Sequence, residues 1–214
     1  MQLKEEISLS PADLKKEGLL PVMEMFYSIQ GEGFHTGTPA FFIRLGGCNV
    51  GCHWCDVKES WSAEDHPVKA MDEIIAEVEA SGAKTIIVTG GEPLMYDLAE
   101  LTKKLKRKNF KLHLETSGAY SLTGEWDWVC LSPKKFKEPL PEIFSKADEL
   151  KMIVYNKDDF RFAEFSAAAI SSANLYLQPE WSRREAMLPL ITEYVKQNPQ
   201  WRISLQTHKY IGVR

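Results

Sequence analysis

The sequence lacks three features that would indicate a membrane, secreted or nucleic-acid-binding protein. No apolar stretch approaches the roughly 18 residues of a membrane-spanning helix, and the acidic first residues carry no hydrophobic core of a secretory signal. Positive charge is not in excess either, because 26 Lys and Arg stand against 30 Asp and Glu, a net charge of −4. The one basic run, at 103–108, ends a helical pattern. We therefore expect no membrane segment, no direct nucleic-acid partner and a cytoplasmic location.

Cysteine is also scarce, and its distribution excludes a disulfide framework. Three of the four cysteines, Cys48, Cys52 and Cys55, lie in one short loop. Their C-x3-C-x2-C spacing brings three thiolates within reach of one cubane iron–sulfur cluster, which usually takes four cysteines. Three ligands would leave one iron open to bind a substrate. The loop therefore predicts a [4Fe-4S] cluster with a vacant coordination position.

A structural zinc ion is the alternative interpretation of this loop. Zinc needs four closed ligands from Cys or His, and His53 lies inside the loop as a candidate fourth ligand. The remaining cysteine, Cys130, sits in an apolar, strand-like setting that is typical of a buried small hydrophobe. The spacing favours the iron–sulfur cluster over zinc.

Short apolar segments alternate with amphipathic ones from residue 22 onward, which predicts an α/β fold with a mainly parallel sheet. There are too few long helices for a complete eight-fold barrel of about 250 residues. We expect a shortened, partial (open) TIM-like barrel in one domain, residues 22–214, after an N-terminal extension, residues 1–21. Strands are predicted at Val22–Ser28, Ala40–Leu45, Thr85–Thr89, Lys111–Glu115, Trp128–Leu131, Glu149–Val154, Leu175–Gln178 and Trp201–Leu205, and helices at 69–81, 97–108 and 183–197.

Polar, glycine-rich segments follow six of the predicted strands. In parallel sheets ligands collect at the carboxyl ends of the strands, so we expect all six to meet at one rim. The segments are residues 30–33, the cysteine loop, residues 89–93, residues 115–118, residues 132–134 and residues 178–181.

The cysteine loop, followed by a strand that ends in TGGEP, resembles the radical S-adenosylmethionine superfamily. The resemblance implies that the open iron chelates S-adenosylmethionine and that one electron cleaves it to a 5′-deoxyadenosyl radical, so no separate catalytic side chain is assigned. The protein would tune a cofactor that performs the difficult step. The contacts to S-adenosylmethionine predicted in this way are Trp54, Gly90, Gly91, Ser117, Ser132, Pro133, Lys134, Gln178 and Pro179.

Most residues of that set have an expected partner in S-adenosylmethionine. The backbone at Gly90 and Gly91 would receive the methionine ammonium group, since glycine permits close approach. The hydroxyl of Ser117 and the ammonium of Lys134 suit the methionine carboxylate. Trp54 and residues 178–181 would flank the adenine.

A narrower resemblance covers residues 22 to 210. The segments SIQGEG, the cysteine loop, VTGGEP, SPK and QTHK together are similar to the 7-carboxy-7-deazaguanine synthase family. That resemblance implies conversion of 6-carboxy-5,6,7,8-tetrahydropterin to 7-carboxy-7-deazaguanine with loss of ammonia, in the biosynthesis of queuosine and other 7-deazapurines. It also implies an external electron donor such as flavodoxin or ferredoxin, and a homodimer.

The substrate contacts predicted on this basis lie in four places. Gln30 and Glu32 offer the donor and acceptors that a pterin edge needs. Arg44 stands in an apolar run, where an unpaired charge is costly, so it should meet an anion, either the substrate carboxylate or a protein acid. The full set is Ile29, Gln30, Gly31, Glu32, Arg44, Thr89 and His208.

One position departs from the family pattern. The family typically has Ser or Thr after Cys-Asp, where the hydroxyl helps to bind a magnesium ion (Mg2+) at the substrate carboxylate. This chain has Val57, which offers no oxygen to a hard cation. Either backbone, water and substrate hold the magnesium ion, or a nearby cation such as Lys58 has taken its role. The chain also has Arg214 in place of the proline often seen at its end.

Two other functions compete with this one. A glycyl-radical-enzyme activase shares the cysteine loop and GGEP but acts on a protein. A non-enzymatic zinc- or iron–sulfur-binding module would bind metal without binding S-adenosylmethionine. The SIQGEG and QTHK segments favour the small-molecule enzyme.

Overall fold

A computed structural model describes residues 18–214, so most of the predicted N-terminal extension, residues 1–17, lies outside the described residues. One open sheet of nine strands, in the order β3-β1-β2-β4-β5-β6-β7-β8-β9, organises this part of the chain. The six pairings from β2 to β9 are all parallel, and β1 pairs antiparallel with both β2 and β3. The strands are β1 Leu19–Ile29, β2 Pro39–Leu45, β3 Val68–Ala70, β4 Thr85–Gly90, β5 Lys111–Thr116, β6 Trp128–Leu131, β7 Glu149–Val154, β8 Asn174–Pro179 and β9 Trp201–Ile203.

Helices follow the strands, as the βαβ alternation predicts. They are α1 Met71–Ala80, α2 Ala99–Arg107, α3 Asp158–Ala168, α4 Arg184–Gln197 and α5 Thr207–Ile211. In α1 the apolar side chains of Ile74, Ile75 and Val78 are all buried. The Glu73 carboxylate accepts the Ala70 N–H at the start of the same helix, at 2.9 Å.

The hydrophobic core covers the helix-facing side of the sheet in two groups. The first joins α1 and α2 to the strands from β1 to β5, and the second joins α3 and α4 to the strands from β5 to β9. This packing leaves the other side of the curved sheet to line a cavity.

The sheet does not close into a complete barrel. In place of a strand pairing between β9 and β1, the segment after β1 meets the segment after β9. Thr207 donates its N–H to the Gly31 carbonyl at 2.9 Å, and Gly33 donates its N–H to the Ser204 hydroxyl at 2.9 Å. The predicted partial, mainly parallel barrel is therefore confirmed.

The predicted elements agree with the structure apart from local differences. The first strand begins at Leu19 rather than Val22, because Leu19–Pro21 pair with β3. The short edge strand β3 and the helices α3 and α5 were not predicted. The basic run at 103–108 does end a helix, and its side chains reach acidic partners that include Asp72 and Asp127.

No helix among residues 18–214 combines the length and apolar character needed to cross a membrane.

Candidate active site

One cavity of about 350 Å³ brings together the residues predicted from separate motifs. Of the predicted site residues only Pro133 is absent from its lining. The predicted residues that line the cavity are Ile29, Gln30, Gly31, Glu32, Arg44, Cys48, Cys52, Trp54, Cys55, Thr89, Gly90, Gly91, Ser117, Ser132, Lys134, Gln178, Pro179 and His208.

The three thiols of the cysteine loop face this cavity. Two backbone hydrogen bonds fix the loop, from Cys48 N–H to the Trp61 carbonyl at 2.9 Å and from Cys55 N–H to the Cys52 carbonyl at 2.9 Å. Burial raises the pKa of the Cys52 thiol to about 11. Iron or zinc binding would therefore displace a proton from the Cys52 thiol, which is neutral in the free protein.

The structure gives no fourth ligand to the cysteine loop. His53 is exposed and packs edge-on against Phe136 and Tyr155. Cys130 is buried in β6 and lines a separate small cavity with Glu149. Across residues 18–214, no group of three or more His, Cys, Asp or Glu side chains is arranged to hold a single metal ion. The donor set thus fits a larger centre with three thiolate ligands rather than a closed zinc site.

Two glycines at the end of β4 let that strand approach the cysteine loop closely. Gly90 has a φ of +142°, and a Cβ atom there would lie 2.2 Å from the Leu45 carbonyl oxygen. A Cβ atom on Gly91 would lie 2.2 Å from the Gly47 carbonyl oxygen. The Gly91 N–H donates to the Leu45 carbonyl at 2.9 Å. Any side chain here would push the cysteine loop away from the sheet.

Glu92, the next residue, is a buried clamp rather than a cavity residue. Its side chain is 1% exposed and accepts from the Thr116 hydroxyl at 2.6 Å and from the Ser117 N–H at 2.8 Å. The Ser117 hydroxyl also donates to it, as does the Leu94 N–H at 3.0 Å. This carboxylate ties the turn after β4 to the turn after β5.

The clamp changes the expected role of Ser117. Because its hydroxyl hydrogen is given to Glu92, the oxygen is left to accept hydrogen bonds. That arrangement suits an ammonium group better than the carboxylate predicted for it.

Lys134 is drawn into the cavity wall and is not a surface lysine. Its ammonium donates to the Ser132 carbonyl at 2.5 Å and the Ser132 hydroxyl at 2.6 Å, and it lies 5.8 Å from the centre of the Trp54 ring. Burial lowers the pKa of Lys134. Two of its three N–H donors are engaged, which leaves one for an anion in the cavity.

Arg44 meets a protein acid, one of the two partners predicted for it. Its Nε lies 2.8 Å from Glu24 Oε1 on the neighbouring strand β1. The side chain still lines the cavity, as does Arg214, which binds the other oxygen of Glu24.

Residues 30–33 do not share the rim with the other segments, so that prediction was wrong. Since β1 runs antiparallel to β2, with Ile29 opposite Pro39, its carboxyl end lies at the start of β2. The segment enters the cavity from the opposite end of the sheet. There Gly31 allows His208 to approach, because a Cβ atom on Gly31 would lie 2.0 Å from His208 Nδ1.

Sequence reasoning missed a buried polar network across the cavity. Lys151 Nζ lies 2.5 Å from Glu32 Oε2 and 3.4 Å from Glu115 Oε2. Burial acts to raise the pKa of Glu32, but the charge and hydrogen bond of Lys151, with the hydrogen bonds of Gln206 and Gln178, together lower it to about 2. Lys151 carries no motif and sits in an apolar strand, ELKMIV. One feature of the sequence could have indicated Lys151, namely a charged residue inside an apolar strand. The same feature identified Arg44.

The cation that lines the cavity near Val57 is Lys209 and not Lys58, which the sequence suggested. Lys58 does not line the cavity, and its ammonium lies 5.9 Å from the centre of the Trp61 ring. Lys209 instead lines the cavity and binds Asp56 Oδ2 at 2.6 Å.

Comparisons with known proteins agree with this geometry. The profile of the Radical SAM superfamily matches residues 42–131. A 7-carboxy-7-deazaguanine synthase of Flavobacterium psychrophilum is 57% identical, over 99% of both chains. A protein of the same name from Synechocystis is 51% identical, over 91% of this chain and 93% of that one. Among solved structures, the crystal structure of QueE from Escherichia coli has a TM-score of 0.78 at 30% identity, covering 92% of this chain and 98% of that chain.

Replacing the buried carboxylate of Glu92 tests the clamp. Glu92→Gln keeps the size but sets an amide N–H2 against donors that need an acceptor, and we expect the free energy of unfolding to fall by about 2–3 kcal/mol. Urea denaturation measures this change. Glu100→Gln, on the exposed start of α2, is the matched control and should cost less than about 0.5 kcal/mol. Equal effects of the two substitutions would contradict the clamp.

Proposed function

The chain belongs to the 7-carboxy-7-deazaguanine synthase family of radical S-adenosylmethionine enzymes, and from that premise we propose which of its residues hold the cluster, the cosubstrate and the substrate. The reaction converts 6-carboxy-5,6,7,8-tetrahydropterin to 7-carboxy-7-deazaguanine with loss of ammonia. The observation that carries the proposal is a single cavity lined by three thiols at one end and by a carboxylate–amide network at the other.

Cys48, Cys52 and Cys55 fit the ligand set of a [4Fe-4S] cluster with one open iron. All three thiols face the cavity, and none of the other cysteines or histidines in residues 18–214 completes a closed site with them. When bound, the cluster and S-adenosylmethionine supply the 5′-deoxyadenosyl radical.

The cosubstrate would lie along the rim formed by β4, β5, β6 and β8. At Gly90 and Gly91 the backbone comes close enough for carbonyl oxygens to accept from the methionine ammonium, and the Ser117 hydroxyl oxygen offers another acceptor. Lys134 directs its remaining N–H donor to the methionine carboxylate. Gln178 and Pro179 lie at the end of β8, where the adenine would be held against Trp54.

The substrate would lie deeper, against the segment that enters from the opposite end. Glu32 is ionised by its contact with Lys151 and accepts from the pterin amine. Thr89 and His208 line the same space, with Ile29 and Gly31 shaping its wall. Arg44 and Arg214 share Glu24, so their two positive charges exceed its one negative charge and favour the substrate carboxylate.

The residues near Val57 do not fit the magnesium ion that the family resemblance implies. Valine offers no oxygen ligand, and the adjacent Asp56 carboxylate accepts from Lys209 at 2.6 Å and from Gln206 at 3.1 Å.

The radical reaction requires an electron from outside the protein. The exposed His53 packs against Phe136 and Tyr155, and the guanidinium of Arg183 lies over the Tyr155 ring, so an acidic flavodoxin or ferredoxin would complement this surface. A homodimer and a cytoplasmic location stay predictions.

The proposed function is tested by product formation. Anaerobically reconstituted protein, given a reductant, S-adenosylmethionine and 6-carboxy-5,6,7,8-tetrahydropterin, should form 7-carboxy-7-deazaguanine, detected by mass spectrometry. An intact cluster that cleaves S-adenosylmethionine without forming this product would overturn the substrate and favour an activase.

The ligand assignment is tested by comparing two cysteine variants. Cys52→Ala removes one of three thiolates and should abolish the brown chromophore and the bound iron after reconstitution. Cys130→Ala, a buried cysteine outside the loop, should retain both. Iron analysis and the visible spectrum make the comparison; a Cys52→Ala protein with full iron content would exclude the triad.

Chelation tests the magnesium conclusion. We expect product formation to be unchanged when EDTA replaces magnesium in the assay, because the side chain of Val57 has no oxygen that could bind the ion. Val57→Thr restores such an oxygen and should introduce stimulation by added magnesium. A wild-type enzyme that stops in EDTA and recovers with magnesium would show that other groups bind the ion.

A further inference from the structure

Lys151 is a buried charge that none of the recognised motifs contains. It lies on β7 with its side chain inside the partial barrel, 3% exposed, and it lines the cavity. A buried ammonium is costly unless it is paired and hydrogen-bonded. Lys151 meets that condition through Glu32 and Glu115, at 2.5 and 3.4 Å.

The two glutamates reach Lys151 from distant parts of the chain. Glu32 follows β1, whereas Glu115 lies on β5. An amide occupies the second oxygen of each carboxylate: Gln206 donates to Glu32 Oε1 at 2.8 Å, and Gln30 donates to Glu115 Oε1 at 2.7 Å. The five side chains form one continuous network, and all of them line the cavity.

Lys151 is the cation in contact with both glutamates, although other titratable groups lie near. Burial raises the pKa of the Cys130 thiol and of the Glu149 carboxyl, which favours their neutral forms. The Glu32 carboxylate also accepts from Gln178. The remaining charged or titratable groups that face the network are Lys134 after β6, Asp56 in the cysteine loop, and His208 and Lys209 in α5.

We propose that Lys151 is a positioning residue that orients Glu32 and Glu115 as hydrogen-bond acceptors and keeps Glu32 ionised, so that the cavity binds a ligand edge rich in N–H donors. The inference rests on the proposed function, whose reduced pterin carries an exocyclic amine and ring N–H groups. A protonated carboxyl would point its own hydrogen at these donors. Lys151 thereby acts on the ligand through the two carboxylates.

The charge balance predicts a pH dependence when Lys151 is removed. In the wild type burial acts to raise the pKa of Glu32, but Lys151, Gln206 and Gln178 together lower it to about 2, so this carboxylate stays ionised over the working pH range. Without the ammonium, burial outweighs the remaining hydrogen bonds and raises the pKa of Glu32. Ligand binding that needs the ionised form is then lost as the pH falls.

Binding of the product, 7-carboxy-7-deazaguanine, measures this effect without turnover. We expect Lys151→Met to bind it about tenfold or more weakly than the wild type at about pH 5.5, with a smaller difference at about pH 8. Isothermal titration calorimetry on cluster-loaded protein gives both affinities. Lys151→Arg keeps the charge and should follow the wild-type pH profile.

Lys104→Met is the matched control, because Lys104 pairs with Asp72 on the surface and does not line the cavity. It should bind the product as the wild type does at both pH values. If Lys151→Met weakens binding by the same factor at both pH values, Lys151 only packs the cavity and the inference is wrong.

A measurement on the wild type keeps the test decisive if Lys151→Met does not fold. Carbon-13 NMR of labelled glutamate carboxyls, with the Glu32 signal assigned from Glu32→Gln, should show Glu32 ionised down to about pH 4. A carboxyl that titrates near neutral pH would overturn the inference. Failure of the wild type to form product would overturn the proposed function instead, so the two failures are distinguishable.

Discussion

The buried carboxylate of Glu92 holds together the turns after β4 and β5, which shape the end of the cavity beside the cysteine loop. It accepts from Thr116 at the end of β5 and from Ser117 in the turn that follows, while the backbone N–H of Glu92 donates to the Gly47 carbonyl beside the cysteine loop at 2.9 Å. Three consecutive parallel strands, β2, β4 and β5, are thereby locked at their carboxyl ends. A carboxylate this deeply buried is stable because hydrogen-bond donors surround it.

A second constraint acts at the opposite end of the cavity. The sheet is open, and the segments after β1 and β9 occupy the gap where a closed barrel would have a strand pairing. Both segments bring polar side chains inward, where Lys151 and Glu115 from the sheet meet Glu32 and Gln206. The same network therefore links the edges of the sheet and shapes the deeper part of the cavity, so that folding and ligand recognition depend on the same buried charges.

The sequence predicted the strands well where β-branched and apolar runs are long, as in β4 and β7. It missed β3, because three residues give no usable alternation, and α3, whose buried face carries small side chains such as Ala163 and Ser166. It placed residues 30–33 on the wrong end of the sheet, because the antiparallel sense of β1 depends on its pairing with β2. Pro133 fell outside the cavity even though its neighbours Ser132 and Lys134 line it.

The sequence by itself determined the chemistry of the site: three thiols in one loop, two glycines before a glutamate, and the SIQGEG and QTHK segments. Such features are local in the sequence, and the chemistry of their side chains and backbone limits which groups they can bind. Only the tertiary structure decided that Glu115 and Lys151 join Glu32, that Arg44 pairs with Glu24, and that Lys209 rather than Lys58 lines the cavity and binds Asp56. These partners are far apart in the chain, and it is strand order and register that bring them within hydrogen-bonding distance. A local sequence pattern therefore cannot predict these contacts.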